Sequence, residues 1–228
     1  MIDMKYFLIS FDDNTIHDRR VVELLNKYAL KATFFLNSGT IDKPGYIQRT
    51  ELKTLYKGHE IGSHTINHTN LIELDEKEII HQIKDDIDFL QIYSKQKIEG
   101  FAYPFGEYND LVIKVLENIN IKYARTTLSD KNTDAPHNFF KWHPTMHYSG
   151  LAYDTTDRER RNRGIQYMFR SFDQFMEDPD AELFHIWLHS WELKEDKFKW
   201  DQLERLFRLI SIEEVEVVTY KEYYNSKK

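Results

Sequence analysis

No cysteine occurs among the 228 residues. Disulfides and thiolate metal sites are thereby excluded together, and any metal in this chain has to be held by His, Asp or Glu. The absence does not decide the compartment. Glycine and proline are scarce, at 8 and 5 residues, and no Pro/Gly-rich joint, low-complexity tract or repeat marks a boundary, so residues 1–228 read as one domain. No apolar run approaches the ~20 residues that span a bilayer. The first eleven residues lack the long apolar region and cleavage site of a signal peptide. The sequence as it stands therefore reads as cytoplasmic, with no transmembrane segment, a reading that a leader removed upstream would change. Nor is there a cationic excess: 31 Lys and Arg face 38 Asp and Glu, a net charge of −7, which leaves no electrostatic footprint for nucleic acid.

What is present is globular composition, 41% hydrophobic with 14% aromatic residues, arranged as short apolar runs that alternate with longer amphipathic ones. Strands are expected over 5–11, 31–37, 60–65, 100–105, 122–127, 183–189 and 215–219. Helices are expected over 15–30, 50–57, 75–93, 109–118, 157–176 and 200–210, with 128–153 as loop. Asp75 with Glu78 three residues on has the form of a capping box, and Asn109 reads as a cap. Strands alternating with helices imply right-handed βαβ units and a parallel sheet. With about seven such units the expected fold is α/β, a distorted (β/α) barrel of parallel strands. An open doubly wound sheet is the alternative, disfavoured because no Gly-rich phosphate loop follows the first strand.

In parallel α/β folds functional side chains come from the C-terminal strand ends, and here the unusual polar residues fall there. Asp12 and Asp13 end the first strand, His64 the third, Tyr103-Pro104-Phe105-Gly106 the fourth, Arg125 the fifth and His189 the late one. Each has a plain alternative: the Asp pair as a helix cap, the histidines as unconnected surface residues, His189 as a satisfied core histidine. Their convergence on one rim is the argument against those alternatives. His64 and His68, four apart, would present two imidazoles from one side of a helical turn. With one aspartate from a neighbouring strand end they make a two-imidazole, one-carboxylate set with an open position, the composition of a catalytic metal site.

These residues carry a resemblance. Ser10-Phe11-Asp12-Asp13, His64 with His68, Tyr103-Pro104-Phe105-Gly106 and Trp187-Leu188-His189 stand in the order and approximate spacing of the polysaccharide deacetylases, the NodB homology domain or carbohydrate esterase family four. The resemblance spans roughly residues 5 to 190. It implies a NodB-like distorted barrel, often of seven strands, and a single catalytic domain. It further implies Asp12 as catalytic base, Asp13, His64 and His68 as ligands of one divalent metal ion, and His189 as general acid, with the Phe105 amide at the oxyanion. The expected metal is Zn²⁺, with Co²⁺, Ni²⁺ or Mn²⁺ as alternatives.

The chain also departs from that pattern. Where the family's third motif carries an Arg that contacts the catalytic Asp, this chain has Ala102 and then Tyr103. Arg125 is the replacement candidate, against a plain salt bridge. The Asp-Trp motif that tunes the acid is not evident; Glu192 or Asp134 could pair with His189 instead, and Trp142 could line the groove. Trp187 stands where the last motif usually has leucine. Tyr103, Trp142, Tyr148, Trp187 and Trp191 are candidate sugar platforms, each with core packing as its alternative. The expected function is metal-dependent removal of an N-acyl group, foremost N-acetyl, from an amino sugar in a glycan or glycan precursor. The alternatives are another C–N hydrolase on the same scaffold, or a weakened metal- and carbohydrate-binding protein. The sequence leaves the oligomeric state open.

Overall fold

The structure is a computed structural model and describes residues 4–149 and 156–228. The last few residues of the expected 128–153 loop, and the first three of the N-terminus, lie outside the described residues.

The sheet is wound from parallel strands: β1 (Tyr6–Asp12), β2 (Thr33–Leu36), β3 (Glu60–Ser63), β4 (Gly100–Ala102), β5 (Tyr123–Arg125), β6 (Met146–His147) and β7 (Leu183–His189). They run in the order β5-β4-β3-β2-β1-β7-β6, and a short β8 (Glu216–Val217) pairs with the start of β1. Parallel neighbours need a long crossover, and the helices supply it: α1 (Asp18–Lys27), α2 (Leu52–Leu55), α3 (Glu76–Ser94), α4 (Asp110–Asn118), α5 (Arg158–Glu177) and α6 (Lys197–Ile210), with α7 (Tyr220–Ser226) closing the chain. The result is a curled, distorted barrel of the expected class. Beyond the β5 edge, Trp142 makes a single parallel bridge to Arg125, and the chain then runs on to β6 at the other edge.

The local signals explain most boundaries. The Asp75/Glu78 capping box opens α3, and the Asn109 side chain accepts from the Val112 amide at the start of α4. Two elements were not expected: β6 inside the long loop and α7 after β8. β6 has only two residues, too short to show a period. α7 carries its own capping box, Thr219 with Glu222, a signal that an expected strand over 215–219 overlaid; the strand itself shrinks to two residues. The run over 100–105 ends early because Pro104 lacks an amide proton and opens a helical turn over Pro104–Gly106.

The core lies in two layers. Phe7, Phe11, Phe34, Ile61 and Phe101 belong to the larger cluster packed with the helices, whereas Leu8, Phe35, Ala102, Tyr123, Trp142 and Tyr220 belong to a second, smaller one. Strand alternation sends successive residues to opposite sides, which accounts for Phe34 and Phe35 joining different clusters. Gly62 sits where the Phe35 ring presses on β3: a β-carbon there would lie 2.4 Å from Phe35 Cδ1. We predict that Gly62→Ala destabilises the fold by about 1–3 kcal/mol through overpacking, read as a lower urea midpoint with unchanged slope.

Candidate active site

Register assembles the rim. In the β1–β7 ladder Asp12 is the partner of His189, and β1 pairs Asp12 with Phe35 of β2 on its other side. β2 carries on to Ser63 of β3, and β4 pairs Ala102 with Arg125. All the predicted polar residues thus leave the sheet at one end. All of them except the buried Arg125 line a pocket of about 350 Å³ formed by Asp12, Asp13, His64, His68, Tyr103, Phe105, Thr127, Trp187, His189 and Trp191.

The backbone at this end is unusual. Asp13, Thr65, His68 and Phe105 have φ of +78°, +68°, +53° and +60°, in the left-handed region that non-glycine residues seldom occupy and that clusters at functional sites. His64 and His68 therefore do not share a helical turn, as their spacing suggested. They sit in a loop whose left-handed residues bring the rings together, with centroids 4.7 Å apart. That loop is pinned by groups that the sequence did not single out. The Asn37 side-chain amide donates to the carbonyls of His64 and Thr65, and Asn14 Oδ1 accepts from the Asn37 amide at 2.7 Å. Asp86 accepts from the Ser38 amide and the Ser63 hydroxyl. Such asparagines and aspartates resemble ordinary loop and helix residues in a single sequence, and only the fold turns them toward the site.

The donor set fits a metal ion. Ligand atoms of Asp13, His64 and His68 lie within 4.8 Å of one another. His64 Nδ1 donates to the Ala102 carbonyl at 2.7 Å, which leaves Nε2 as a lone pair facing the pocket, the usual arrangement of a ligating imidazole. Burial pushes His64 down to about 4, so it is neutral near pH 7 as a ligand must be. His64 Nε2 stands 3.9 Å from Asp13 Oδ1. A second cluster, His147, His189 and Glu192, is equally tight, but hydrogen bonds account for it. The Ser149 amide donates to His147 Nδ1, so His147 carries its proton on Nε2 and donates it to Glu192 Oε1 at 2.9 Å. His189 Nδ1 donates to the same oxygen at 2.8 Å. Two ligands of one tetrahedral ion with bonds of about 2.0–2.1 Å would sit about 3.3 Å apart.

Asp12 is 2% exposed, and its Oδ2 accepts from the wholly buried Arg125. Burial, the largest single influence, would push this carboxyl up; the Arg125 guanidinium leads the opposing ones, and the net shift is below its ordinary value. His64 and His189 act in the same direction, though a neutral His64 contributes little. Asp12 Oδ1 has no hydrogen-bond partner among the described residues. Arg125 thus occupies the place expected for the missing motif-three Arg, but as a partner of Asp12 and not as a substrate contact, since it is fully buried between Asp12 and the rings of Trp187 and Phe35. His189 is pulled two ways. Burial pushes it down, whereas Glu192, Asp12 and Asp13 raise it, and the net shift is upward. Glu192 is held well below the carboxylate range by His147 and His189 despite its burial. Of the two candidates named for pairing with His189, Glu192 makes the contact.

The aromatic expectations divide. Phe105 is 59% exposed and packs edge-on against His68, and Trp191 lies on the rim. Tyr103 and Trp187 form pocket wall but are buried, with the Tyr103 hydroxyl donating to the Phe140 carbonyl. Trp142 does not line the groove. It is 1% exposed and packs on Tyr123, Phe139, Tyr220 and Tyr223 inside the smaller core cluster. Its large apolar ring is worth more there than on a rim. Tyr148 is likewise core, donating to the Lys199 carbonyl.

Residues 3–124, more than half of the chain, match the family model described as polysaccharide deacetylase. The chain belongs to the polysaccharide deacetylase family. It is 32% identical over 112 residues to a peptidoglycan-N-acetylglucosamine deacetylase of Bacillus cereus, covering 48% of this chain and 51% of that one. It is 29% identical over 133 residues to a poly-beta-1,6-N-acetyl-D-glucosamine N-deacetylase of Staphylococcus aureus, covering 51% and 46%. The chain spans about half or less of the length of the curated relatives it matches. Among solved structures it superimposes on a family 4 acetyl xylan esterase from Clostridium thermocellum in complex with a cobalt ion, with a TM-score of 0.67, 18% identity and coverage of 98% and 92%. It also superimposes on a CE4 family pseudoenzyme from Bacillus anthracis, with a TM-score of 0.68, 15% identity and coverage of 98% and 66%. At those identities the structural likeness speaks for the fold.

One further charge lies beneath this site. Asp18, at the start of α1, is fully buried and accepts from the Tyr56 hydroxyl at 2.7 Å. Burial raises it to about 7; Ser190 and Tyr56 oppose that shift, and Asp13 and Asp12 add to it. Between its unfolded value near ~3.9 and about 7 the folded state binds the extra proton, so this group makes stability fall as pH rises through that window. We predict that Asp18→Asn flattens the slope of metal-free stability between pH 4 and 7 and stabilises the protein at pH 8 by about 1–4 kcal/mol, measured by denaturant melts across pH.

Proposed function

We propose that this chain is a metal-dependent N-deacetylase acting on an amino sugar, as a single catalytic domain. The observation that carries the reading is the junction of three ligand atoms within 4.8 Å with an ionised, half-satisfied carboxylate, Asp12, and a half-buried histidine, His189, in one pocket. Asp13, His64 and His68 would hold a divalent ion, Zn²⁺ in the first instance, and that ion would polarise the acyl carbonyl and acidify the attacking water.

The chain's own groups supply the rest. Arg125 keeps Asp12 ionised and fixes Oδ2, leaving Oδ1 as the oxygen that takes a proton from water. The negative charge developing on the carbonyl oxygen is met by the Phe105 amide. The Phe105 turn is braced: its carbonyl accepts from the Thr127 hydroxyl at 3.2 Å. Gly106 follows with φ +75°, where a β-carbon would run into Thr127. His189 Nε2, its Nδ1 proton fixed on Glu192, hands its proton to the departing amine; a free amide anion is too poor a leaving group to depart without one. The raised pKa of His189 keeps a usable share of imidazolium near neutrality.

The substrate is proposed from chemistry and kinship together. Relatives matching half of this chain are named for N-acetylglucosamine polymers, and the pocket, with an exposed Phe105 and rim Trp191, offers aromatic surface to the C–H faces of a sugar. Among the described residues no helix is long and apolar enough to cross a membrane.

Acetate release from N-acetylglucosamine oligomers, dependent on added Zn²⁺ or Co²⁺ and abolished by a chelator, is the expected result. Asp12→Asn should bind the metal as the wild type does yet lose at least about 10²-fold in kcat, whereas His68→Ala should lose both; full turnover by pure Asp12→Asn protein rejects the base assignment. Removing the Glu192 charge should lower the pKa of His189. Glu192→Gln is therefore expected to move the alkaline limb of the pH–rate profile to lower pH with little change in KM, and an unmoved limb would separate Glu192 from the acid.

A further inference from the structure

Trp191 joins the two halves of the site. Its indole Nε1–H donates to Asp13 Oδ2 at 3.0 Å, and its ring stacks on the His189 imidazole with centroids 4.7 Å apart and planes 27° from parallel. Among the described residues the indole is the side-chain hydrogen-bond partner of Asp13. The two contacts come from one rigid group on a tight turn. Residues 190–192 form a single helical turn in which the Leu193 amide returns to the Ser190 carbonyl, and Glu192 in the same turn accepts a hydrogen bond from His189 Nδ1–H.

The consequence for Asp13 is geometric. Its backbone is left-handed, at φ +78°, so the carboxylate is presented by a residue in a sparsely populated conformation and needs an external hold. His64 Nε2 faces Oδ1 at 3.9 Å, while Oδ2 is the oxygen engaged by the indole. A carboxylate with one oxygen hydrogen-bonded offers the other as a one-point ligand in a fixed plane. The consequence for His189 is complementary. Glu192 fixes Nδ1, and the stacked indole packs on the ring, with Trp187 edge-on to it at 5.3 Å.

We propose that Trp191 is a positioning residue for both Asp13 and His189, setting which oxygen of the carboxylate is free for the ion and holding the acid's ring plane. One face of the indole is therefore committed to His189, which makes Trp191 more than a sugar platform. The proposal rests on the metal-site reading given under Proposed function.

The test compares wild type, Trp191→Phe and Trp191→Leu as metal-free proteins. Phenylalanine keeps a ring on His189 but loses the N–H; leucine loses both. Zn²⁺ affinity, by competition with a chromophoric chelator, is expected to fall about tenfold or more in both variants alike. The visible absorption of the Co²⁺ form should change with it, and apoprotein melting should stay near that of the wild type. Only Trp191→Leu should show a further loss in kcat at saturating metal. Wild-type protein that takes up neither Zn²⁺ nor Co²⁺ would sink the metal-site reading and this assignment together. Wild-type uptake with equal affinity and an identical Co²⁺ spectrum in Trp191→Phe would sink the Trp191 assignment alone. Early melting of the metal-free variants would place Trp191 in the fold rather than the site, and would also overturn it.

Discussion

The buried ion pair between Asp12 and Arg125 is the constraint around which the rim is organised. A carboxylate 2% exposed has lost most of its hydration, a loss worth several kcal/mol for an isolated ion. It remains ionised because a guanidinium, itself fully buried, bonds to one of its oxygens. Arg125 in turn lies within 4.8 Å of the Trp187 ring centre and 5.3 Å of that of Phe35, where the ring faces attract a cation. Those rings also exclude water, so the charge is conserved for chemistry. The same low-polarity surroundings press His64 toward neutrality, while Glu192, with Asp12 and Asp13, raises His189 against its burial.

Three departures from the family pattern fall into place as one substitution of parts. Ala102 supplies a carbonyl to His64 Nδ1, where a bulkier polar residue is usual. The positive charge arrives from the neighbouring strand instead, because β4 and β5 pair Ala102 with Arg125 and the latter points into the same space. The carboxylate partner of His189, expected from a separate motif, comes from three residues downstream as Glu192, which His147 on β6 also contacts.

The fold was legible in the sequence because it rests on period. Apolar runs of strand length alternated with amphipathic helices, and the β1, β7, α3 and α4 signals needed no tertiary information. The candidate ligand group of Asp13, His64 and His68 was legible too, through spacing and the ends of strands. The paired geometry of His64 and His68 was not, since it depends on left-handed φ values at Thr65 and His68 that no local propensity announces. Trp142 misled for a related reason: aromatic residues serve rims and cores equally, and only its bridge to Arg125 and its packing on Tyr220 and Tyr223 of α7 place this one in the core. Asn14, Asn37 and Asp86, which hold the ligand loop, were invisible because single polar residues in turns and helices carry no pattern. Glu192 could be named but not chosen until the turn over 190–192 brought its oxygen to His189.

The central claim is that this rim holds one divalent ion on Asp13, His64 and His68, beside an unligated Asp12. The most direct measurement is an anomalous-difference map from crystals of the protein soaked with Zn²⁺ or Co²⁺ and collected at the metal edge. The account predicts a single strong peak bonded to Asp13, His64 Nε2 and His68, with Asp12 still paired to Arg125 and outside bonding distance of the ion. A peak on His147, His189 and Glu192, an ion ligated by Asp12, or no peak at the rim would contradict it.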